Sequence, residues 1–364
     1  MDDGPVAGRN LVVCLDGTSN EPESGTTNVA RTYAVAAKTD EQLVFYDPGV
    51  GTMGARGAVT RLGRDTTRIA GLVVGFGVKD NIEEAYTWLA EHYRFGDRLF
   101  VFGFSRGAYT ARALTGMLRT VGLLRPGAAN LVPYALKLYA QHGRDQPTPE
   151  EETEFWRPRR QFNERFGNPD FPNPFNPHVH QVRFLGVWDT VKTIGWLNLK
   201  AQFEQARWPS TRRILNVDLA RHAMALDEKR RPYPVYRFDP EAVRESEGRY
   251  VEQWFSGVHS DVGGQYDDHR LSDIAFAWMI EEAVAAGLQV DEKAYKRLAG
   301  VRLGEPVPEE SALGEVHTNG GSWRLLGGWK PRVVQPGDLV HPSVRHRIEA
   351  TAGTATPYRP KLPG

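Results

Sequence analysis

The chain of 364 residues contains 45 lysines and arginines and 45 aspartates and glutamates, so its formal net charge is zero. Proteins that bind duplex nucleic acid carry an excess of basic residues to neutralise phosphates, and we therefore expect no nucleic-acid partner. Hydrophobic residues make up 40% and charged residues 25% of the sequence, a mixture typical of a folded globular protein rather than a disordered one.

Continuous apolar runs bounded by turn residues predict buried strands of a parallel sheet. In chain order these runs are 10–15, 42–46, 98–104, 181–188, 233–238 and 250–255. Apolar residues at helical spacing predict helices between them, over 27–38, 81–93, 108–121, 134–141 and 274–286. The alternation of strands and helices predicts an α/β fold, with a mostly parallel central sheet and helices on both faces.

Residues 123–180 differ in composition from the rest of the chain. After the short helix near 134–141, residues 147–177 are rich in proline, asparagine and charge, with aromatic side chains between them. Loops this long are usually functional or disordered, and the aromatics favour an ordered insertion, which we interpret as lid-like. Residues 287–364 are expected to form a C-terminal extension packed on the core, so that residues 8–364 make one domain.

Gly103, Ser105 and Gly107 form a G-x-S-x-G pattern between a predicted strand and a predicted helix. The pattern is typical of a tight turn that exposes a strained nucleophilic serine. Glycine flanks the serine because side chains there would collide with neighbouring elements. The pentapeptide alone is a weak signal, since it often arises by chance. The strand before it and the helix after it make Ser105 the candidate nucleophile.

A nucleophilic serine needs a general base, and the base needs a carboxylate that orients it. Asp189 follows the predicted strand 181–188, and His259 follows the strand 250–255 in a loop of small residues. Reactive residues gather beyond the carboxyl ends of parallel strands, so we expect Ser105, Asp189 and His259 to converge there. A turn or N-cap role for Asp189, and a core or surface role for His259, are the alternatives.

Backbone N–H groups are expected to hold the oxyanion. The N–H of Arg106 at the helix start is one candidate, and the N–H of Gly17 or Thr18 after the first strand is the other. A structural turn built on Asp16 explains the latter segment equally well, and Asp16 is a candidate supporting residue. Asp261 is a second one: hydrogen bonds that brace the His259 loop are the preferred explanation, and a divalent ion is the alternative.

The segment from Gly49 to Gly54 satisfies G-x-G-x-x-G. This pattern binds dinucleotides when a helix opens directly after it and an acidic residue ends a strand about 20 residues further on. Neither feature is present in the sequence, so a loop at the rim of the active site is the preferred interpretation. We therefore predict no cofactor. Because hydrogen bonding is the preferred role of Asp261, we also predict no resident metal.

Five segments in order along the chain resemble one family: residues 15–20, 46–52, 103–109, 188–191 and 254–264. It is the α/β-hydrolase family long catalogued as a domain of unknown function, which includes the type VI secretion phospholipase effectors. The resemblance implies an α/β-hydrolase-like fold and ester hydrolysis, with phospholipids as the substrates of the secreted members. It also implies Ser105 as nucleophile, Asp189 as acid and His259 as base, in agreement with the assignment from the residues themselves.

The predicted function is therefore a serine carboxylic-ester hydrolase that works through an acyl-enzyme on lipid or other acyl esters. An acyltransferase with the same three residues and a catalytically silent binding protein are the alternatives. The predicted partner is a small-molecule or lipid ester.

The same sequence carries three expectations about location and assembly. The single cysteine, Cys14, excludes an intramolecular disulfide. The longest apolar run, 69–78, is shorter than the ~20 residues that a membrane helix needs, while peripheral membrane contact and the oligomeric state stay open. The N-terminal residues show no signal-peptide pattern, so a cytoplasmic protein is the default expectation, and export by a dedicated secretion system is the alternative.

Overall fold

The computed structural model describes residues 8–17, 26–49, 77–141, 143, 148–192, 208–318 and 328–363. Within these ranges the centre of the molecule is a seven-stranded sheet in which every neighbouring pair is parallel. The order across the sheet is β2-β1-β3-β4-β5-β6-β7. The strands are β1 (Asn10–Leu15), β2 (Gln42–Asp47), β3 (Arg98–Phe104), β4 (Val182–Trp188), β5 (Val217–Ala225), β6 (Tyr250–Phe255) and β7 (Leu339–Val340).

Helices connect the strands and cover the sheet. They are α1 (Asn28–Val35), α2 (Val78–His92), α3 (Arg106–Val121), α4 (Val132–Ala140), α5 (Pro149–Phe166), α6 (Pro240–Glu245), α7 (His259–Gly263), α8 (Arg270–Ala285), α9 (Glu292–Ala299) and α10 (Pro342–Thr351). Short 3-10 turns lie at Ala129–Leu131 and Glu309–Leu313. The predicted α/β-hydrolase-like fold, a parallel sheet between helices, is confirmed.

Both faces of the sheet are buried, as strand β1 shows. Leu11, Val13 and Leu15 of β1 belong to one core cluster together with apolar residues of α2, α3 and α4. Val12 and Cys14 belong to a second cluster with residues of α1, α8 and α9. Successive side chains of a strand point to opposite faces, so an uninterrupted apolar run is what a sheet covered on both sides requires.

Strand β5 was not predicted, and the strand predicted over 233–238 is wrong. That segment makes only an isolated bridge, between Val235 and Val191. In β5, charged residues interrupt the apolar pattern, but each has a partner in space: Asp218 contacts His180, and Arg221 contacts Glu282. The pairing of these polar side chains across neighbouring elements is what allows the segment to lie inside the sheet.

The segment 147–177 contains a regular helix, α5, which its proline and asparagine content concealed. Thr148 and Glu151 form a capping box at the start of this helix, which satisfies N–H groups that would otherwise lack partners. Phe162 lies in the core cluster of α3 and α4, and the Asn163 side chain donates to Val121 O at the end of α3. Since α3 is about 24 Å long, this anchor lies at the far end of α3 from Ser105. The lid role remains a prediction.

The C-terminal residues pack on the sheet through a third apolar cluster. This cluster joins Met224 of β5 and Trp254 of β6 to Val334 and Val344. Strand β7 extends the sheet beside β6, with Val340 in register with Trp254. None of the helices in the described ranges has the length and apolarity needed to cross a bilayer.

We expect Gly186→Ala in β4 to destabilise the fold. A Cβ at this position would lie 2.7 Å from Met279 Sδ and 2.8 Å from a Phe102 ring carbon, so the Met279 side chain and the buried Phe102 ring would have to shift. Overpacking of this kind costs about 1–3 kcal/mol of unfolding free energy, measurable by urea denaturation. Gly353→Ala is the control, because a Cβ at residue 353 meets no atom within 4 Å. Equal stability of the two variants would contradict the packing described here.

Candidate active site

Ser105 lies at a tight turn between β3 and α3. Its backbone angles are φ 59° and ψ −120°, a conformation that is costly for a residue with a Cβ. The flanking glycines allow the turn to close: a Cβ at Gly107 would lie 2.1 Å from Leu15 O, and a Cβ at Gly103 would lie 2.5 Å from Gly107 O. The backbone of strand β1 therefore presses directly against the turn that carries Ser105.

The structure brings Ser105, His259 and Asp189 together, although they follow three different strands. His259 Nε2 is 2.8 Å from Ser105 Oγ, and His259 Nδ1 is 2.5 Å from Asp189 Oδ2. A carboxylate can only accept, so Nδ1 carries the proton and Nε2 is left to accept the Ser105 hydroxyl proton. This is the arrangement in which an imidazole can act as a general base on a serine.

Asp189 is a fully buried carboxylate with partners on both oxygens. The Arg332 guanidinium donates to Oδ1 at 2.5 Å and to Oδ2 at 3.0 Å, and the Ala225 N–H donates to Oδ1 at 2.9 Å. Burial alone would raise the pKa of Asp189, but Arg332 and His259 hold this pKa well below its usual range. Asp189 is therefore ionised wherever the protein is folded at ordinary pH.

The His259 imidazole is buried between aromatic rings. The ring of Phe104 lies 4.6 Å from it and that of Tyr233 lies edge-on at 5.2 Å, both measured between centroids. Burial lowers the pKa of His259, although its hydrogen bond to Asp189 acts in the opposite direction. The backbone N–H of His259 donates to buried Glu228, whose carboxylate is also bound by Arg230. The imidazole is consequently neutral and held in a fixed orientation.

Asp261 braces the loop that carries His259. Its Oδ2 accepts from the N–H of Val258 at 2.8 Å and from the N–H of His317 at 3.2 Å, and its Oδ1 is 2.6 Å from His317 Nδ1. These bonds tie the loop to the C-terminal residues. In the part of the chain that the structure describes, no three His, Cys, Asp or Glu side chains are grouped to hold a metal ion.

The residues considered for the oxyanion belong to two segments, the start of α3 and the residues directly after β1. The backbone N–H of Arg106 is at the first position of α3, where helix amides and the helix dipole favour negative charge. The N–H of Gly17 donates to the Asp16 carboxylate at 2.7 Å, and the same carboxylate accepts from Thr27 at 2.5 Å and from Tyr46 at 2.9 Å. The Gly17 N–H can thus donate to an oxyanion only if its hydrogen bond to Asp16 breaks.

Two of the sequence expectations lie outside the described residues. They are the Thr18 N–H and the Gly49 to Gly54 segment beyond Gly49.

Residues 9–282 match the family model for the catalytic domain of type VI secretion system Tle1-like phospholipase effectors. The chain belongs to this family. The match contains the whole Ser105, Asp189 and His259 constellation and ends before the C-terminal extension, so Arg332 and His317 lie outside the region that defines the Tle1-like domain.

Other proteins are similar to this Tle1-like chain over part of their length. An uncharacterized protein of Saccharomyces cerevisiae, YEL023C, is 31% identical over 242 residues, which is 64% of this chain and 33% of the yeast protein. Two solved structures are also similar to this chain. An uncharacterized protein from Pseudomonas aeruginosa has 19% sequence identity and a TM-score of 0.42, over 84% of this chain and 53% of that chain. The Tle1 effector bound to the VgrG spike has 18% sequence identity and a TM-score of 0.39, over 72% of this chain and 52% of that chain. The chain spans about a third of the yeast protein and about half of each solved chain.

Arg332 was not predicted from the sequence. It lies 143 residues from Asp189, in a C-terminal segment without readable periodicity, and it also donates to Ala225 O and Tyr233 O. An arginine that neutralises a distant carboxylate leaves no local pattern. Its contribution to the site is visible only once the chain is folded.

We expect Arg332→Met to cost about 3–5 kcal/mol of unfolding free energy at neutral pH, because it leaves the buried Asp189 charge without its main counter-charge. The folded-state pKa of Asp189 is depressed, so its contribution to stability is present above the unfolded-state value of about 3.9 and is lost as the pH falls. The difference between Arg332→Met and wild type should therefore shrink in acid.

Arg213→Met is the matched control. Arg213 pairs with Glu241 and Glu245 on the surface, and exposed pairs contribute less than about 1 kcal/mol. Urea denaturation at several pH values measures both variants. An Arg332→Met loss no larger than that of Arg213→Met would contradict the role assigned to Arg332.

Proposed function

We propose that this chain is a serine hydrolase of carboxylic esters, with Ser105 as nucleophile, His259 as general base and Asp189 as the orienting acid. The observation that carries the proposal is the His259 imidazole, which bridges Ser105 Oγ at 2.8 Å and the ionised Asp189 carboxylate at 2.5 Å. The strained backbone of Ser105 supports the same role, because strain at a residue of this kind is typical of a nucleophile turn.

The chemistry follows from these contacts. His259 Nε2 takes the Ser105 hydroxyl proton as Oγ bonds to the ester carbonyl carbon, and the carbonyl electron pair moves onto its oxygen. We infer that the Arg106 N–H stabilises this oxyanion, with Gly17 as a second donor. When the carbonyl re-forms, the C–O bond to the alcohol breaks and His259 returns its proton to the leaving oxygen. Water then repeats the sequence, releasing the acid and free Ser105.

We propose lipid acyl esters, and phospholipids first among them, as the substrates. The support is the family itself, whose name describes phospholipase effectors. From the family we infer the reaction of this protein and not a route of secretion, because a yeast protein is also 31% identical to this chain. Export by a secretion machine would be a property of the producing cell and calls for no change in the site.

We expect the purified chain to release fatty acid and lysophospholipid from vesicles of phosphatidylcholine and phosphatidylglycerol. Ser105→Ala should lower this rate by about 10⁴-fold or more, because the members of such a triad act as a unit. Mass spectrometry of the lipid products measures the reaction. Reaction with a fluorophosphonate probe tests the nucleophile independently of the substrate.

Ser260→Ala is the matched control, since Ser260 neighbours His259 but its hydroxyl donates to Gln265 at 3.2 Å. It should retain both activities. A Ser105→Ala variant that hydrolyses esters at the wild-type rate would overturn the assignment. Probe labelling without phospholipid cleavage would keep the serine hydrolase and reject the lipid substrate.

The pH dependence should report His259. The base works only when neutral, and burial lowers its pKa, so the fall of kcat/KM on acidification should begin below the ordinary histidine value of about 6.5. The negative charge of Glu228 raises the pKa of His259, and the positive charge of Arg230 lowers it. Glu228→Gln leaves Arg230 unopposed and should move the acid limb to still lower pH. A shift to higher pH would contradict this electrostatic account.

A further inference from the structure

A buried histidine–carboxylate pair, His222 and Glu252, lies next to the turn that carries Asp189. His222, in strand β5, is completely buried, and its Nε2 is 3.2 Å from the backbone N of Thr190, the residue after Asp189. Its Nδ1 is 2.9 Å from Glu252 Oε1, on the neighbouring strand β6. The mechanism above does not use these groups, yet His222 contacts the same turn that carries Asp189.

The contacts fix which nitrogen of His222 carries the proton. A backbone N–H can only donate, so Nε2 must be the unprotonated acceptor for Thr190. Nδ1 then holds the proton and donates it to Glu252, which as a carboxylate only accepts. The Arg112 guanidinium also approaches Nδ1, at the longer distance of 3.3 Å. Burial lowers the pKa of His222, and the positive charge of Arg112 acts in the same direction, although the hydrogen bond to Glu252 raises this pKa.

The turn that receives this bond needs support. Asp189 has φ 36°, a positive value that a residue with a Cβ keeps only when its surroundings impose it. The Thr190 N–H belongs to the peptide unit that directly follows the Asp189 Cα. A bond to this N–H fixes the rotation of that unit, and with it the direction from which the Asp189 carboxylate reaches His259.

We propose that His222, as a neutral acceptor oriented by Glu252, is a positioning residue that holds the Asp189–Thr190 turn in the conformation required for the Asp189–His259 bond. The proposal rests on the proposed serine hydrolase function and deepens it. Glu252 is itself held in place, since it accepts from the Phe238 N–H and from Arg237 at 2.8 Å each. The orientation of His222 is thus secured by groups that do not touch the reacting atoms.

Two substitutions separate the two hydrogen bonds of His222. Glutamine can place its amide oxygen near the position of Nε2 and so retain an acceptor for Thr190. Asparagine can place its amide nitrogen near the position of Nδ1 and retain only the donor to Glu252. We expect His222→Asn to lower the fluorophosphonate labelling rate and kcat by about 30- to 100-fold, the scale of a misplaced catalytic group, with little change in KM. We expect His222→Gln to recover most of that loss.

His180 supplies matched controls. Its Nδ1 is 2.5 Å from Asp218, so it is also paired with a carboxylate, but it precedes β4 at the opposite end of the sheet from Asp189. His180→Asn and His180→Gln should both label at the wild-type rate. Equal losses in His222→Asn and His222→Gln, or no loss in either, would overturn the positioning role. Absence of labelling in wild type would instead reject the serine hydrolase itself.

A measurement without substitution at 222 tests the same tautomer if both variants fail to fold. In the His259→Ala protein, nitrogen NMR should show a buried imidazole that is neutral at about pH 7, with its proton on Nδ1 and with its Nε2 coupled across a hydrogen bond to the Thr190 amide. This coupling separates His222 from His180 and His317, whose Nδ1 atoms also face carboxylates. If no imidazole couples to the Thr190 amide, or if the one that does carries its proton on Nε2, the proposal is wrong.

Discussion

The site is organised around one buried negative charge, the carboxylate of Asp189. A charge removed from water costs several kcal/mol unless partners surround it, and this one has Arg332, His259 and the Ala225 N–H on its two oxygens. These groups come from the C-terminal segment, from the loop after β6 and from the end of β5. The partners that neutralise the carboxylate therefore hold three separate segments of the chain together at Asp189.

Two residues with a strained backbone, Ser105 and Asp189, lie at the same edge of the sheet. Ser105 and Asp189 both have positive φ, and they directly follow β3 and β4, which pair in parallel with Phe104 opposite Trp188. The Ser105 N–H donates to Trp188 O at 3.1 Å, and this hydrogen bond links the turn at Ser105 to the turn at Asp189. The order of strands reverses between β1 and β3, and the crevice at such a point is where ligands reach an open α/β sheet.

Residues that stabilise the candidate site extend beyond the segment that defines the family. The family match ends at residue 282, but Arg332 neutralises Asp189 and His317 braces the His259 loop through Asp261. The pairing of Asp338 with Arg237 continues the same link, since Arg237 binds Glu252. Polar contacts that stabilise Asp189 and the His259 loop thus run from the sheet edge into the C-terminal extension.

The sequence by itself determined what depends on neighbouring residues. The G-x-S-x-G turn and the apolar runs of β1, β3 and β4 follow from local sterics and strand burial, so the α/β fold and the three candidate residues at its edge were predictable. Strand β5, helix α5 and Arg332 were decided only by tertiary structure. Charged side chains in β5 are satisfied by partners on other elements, Phe162 of α5 is buried against a core formed elsewhere, and Arg332 meets Asp189 across 143 residues. Compensation of buried charge acts through space, and it therefore leaves no periodicity along the chain.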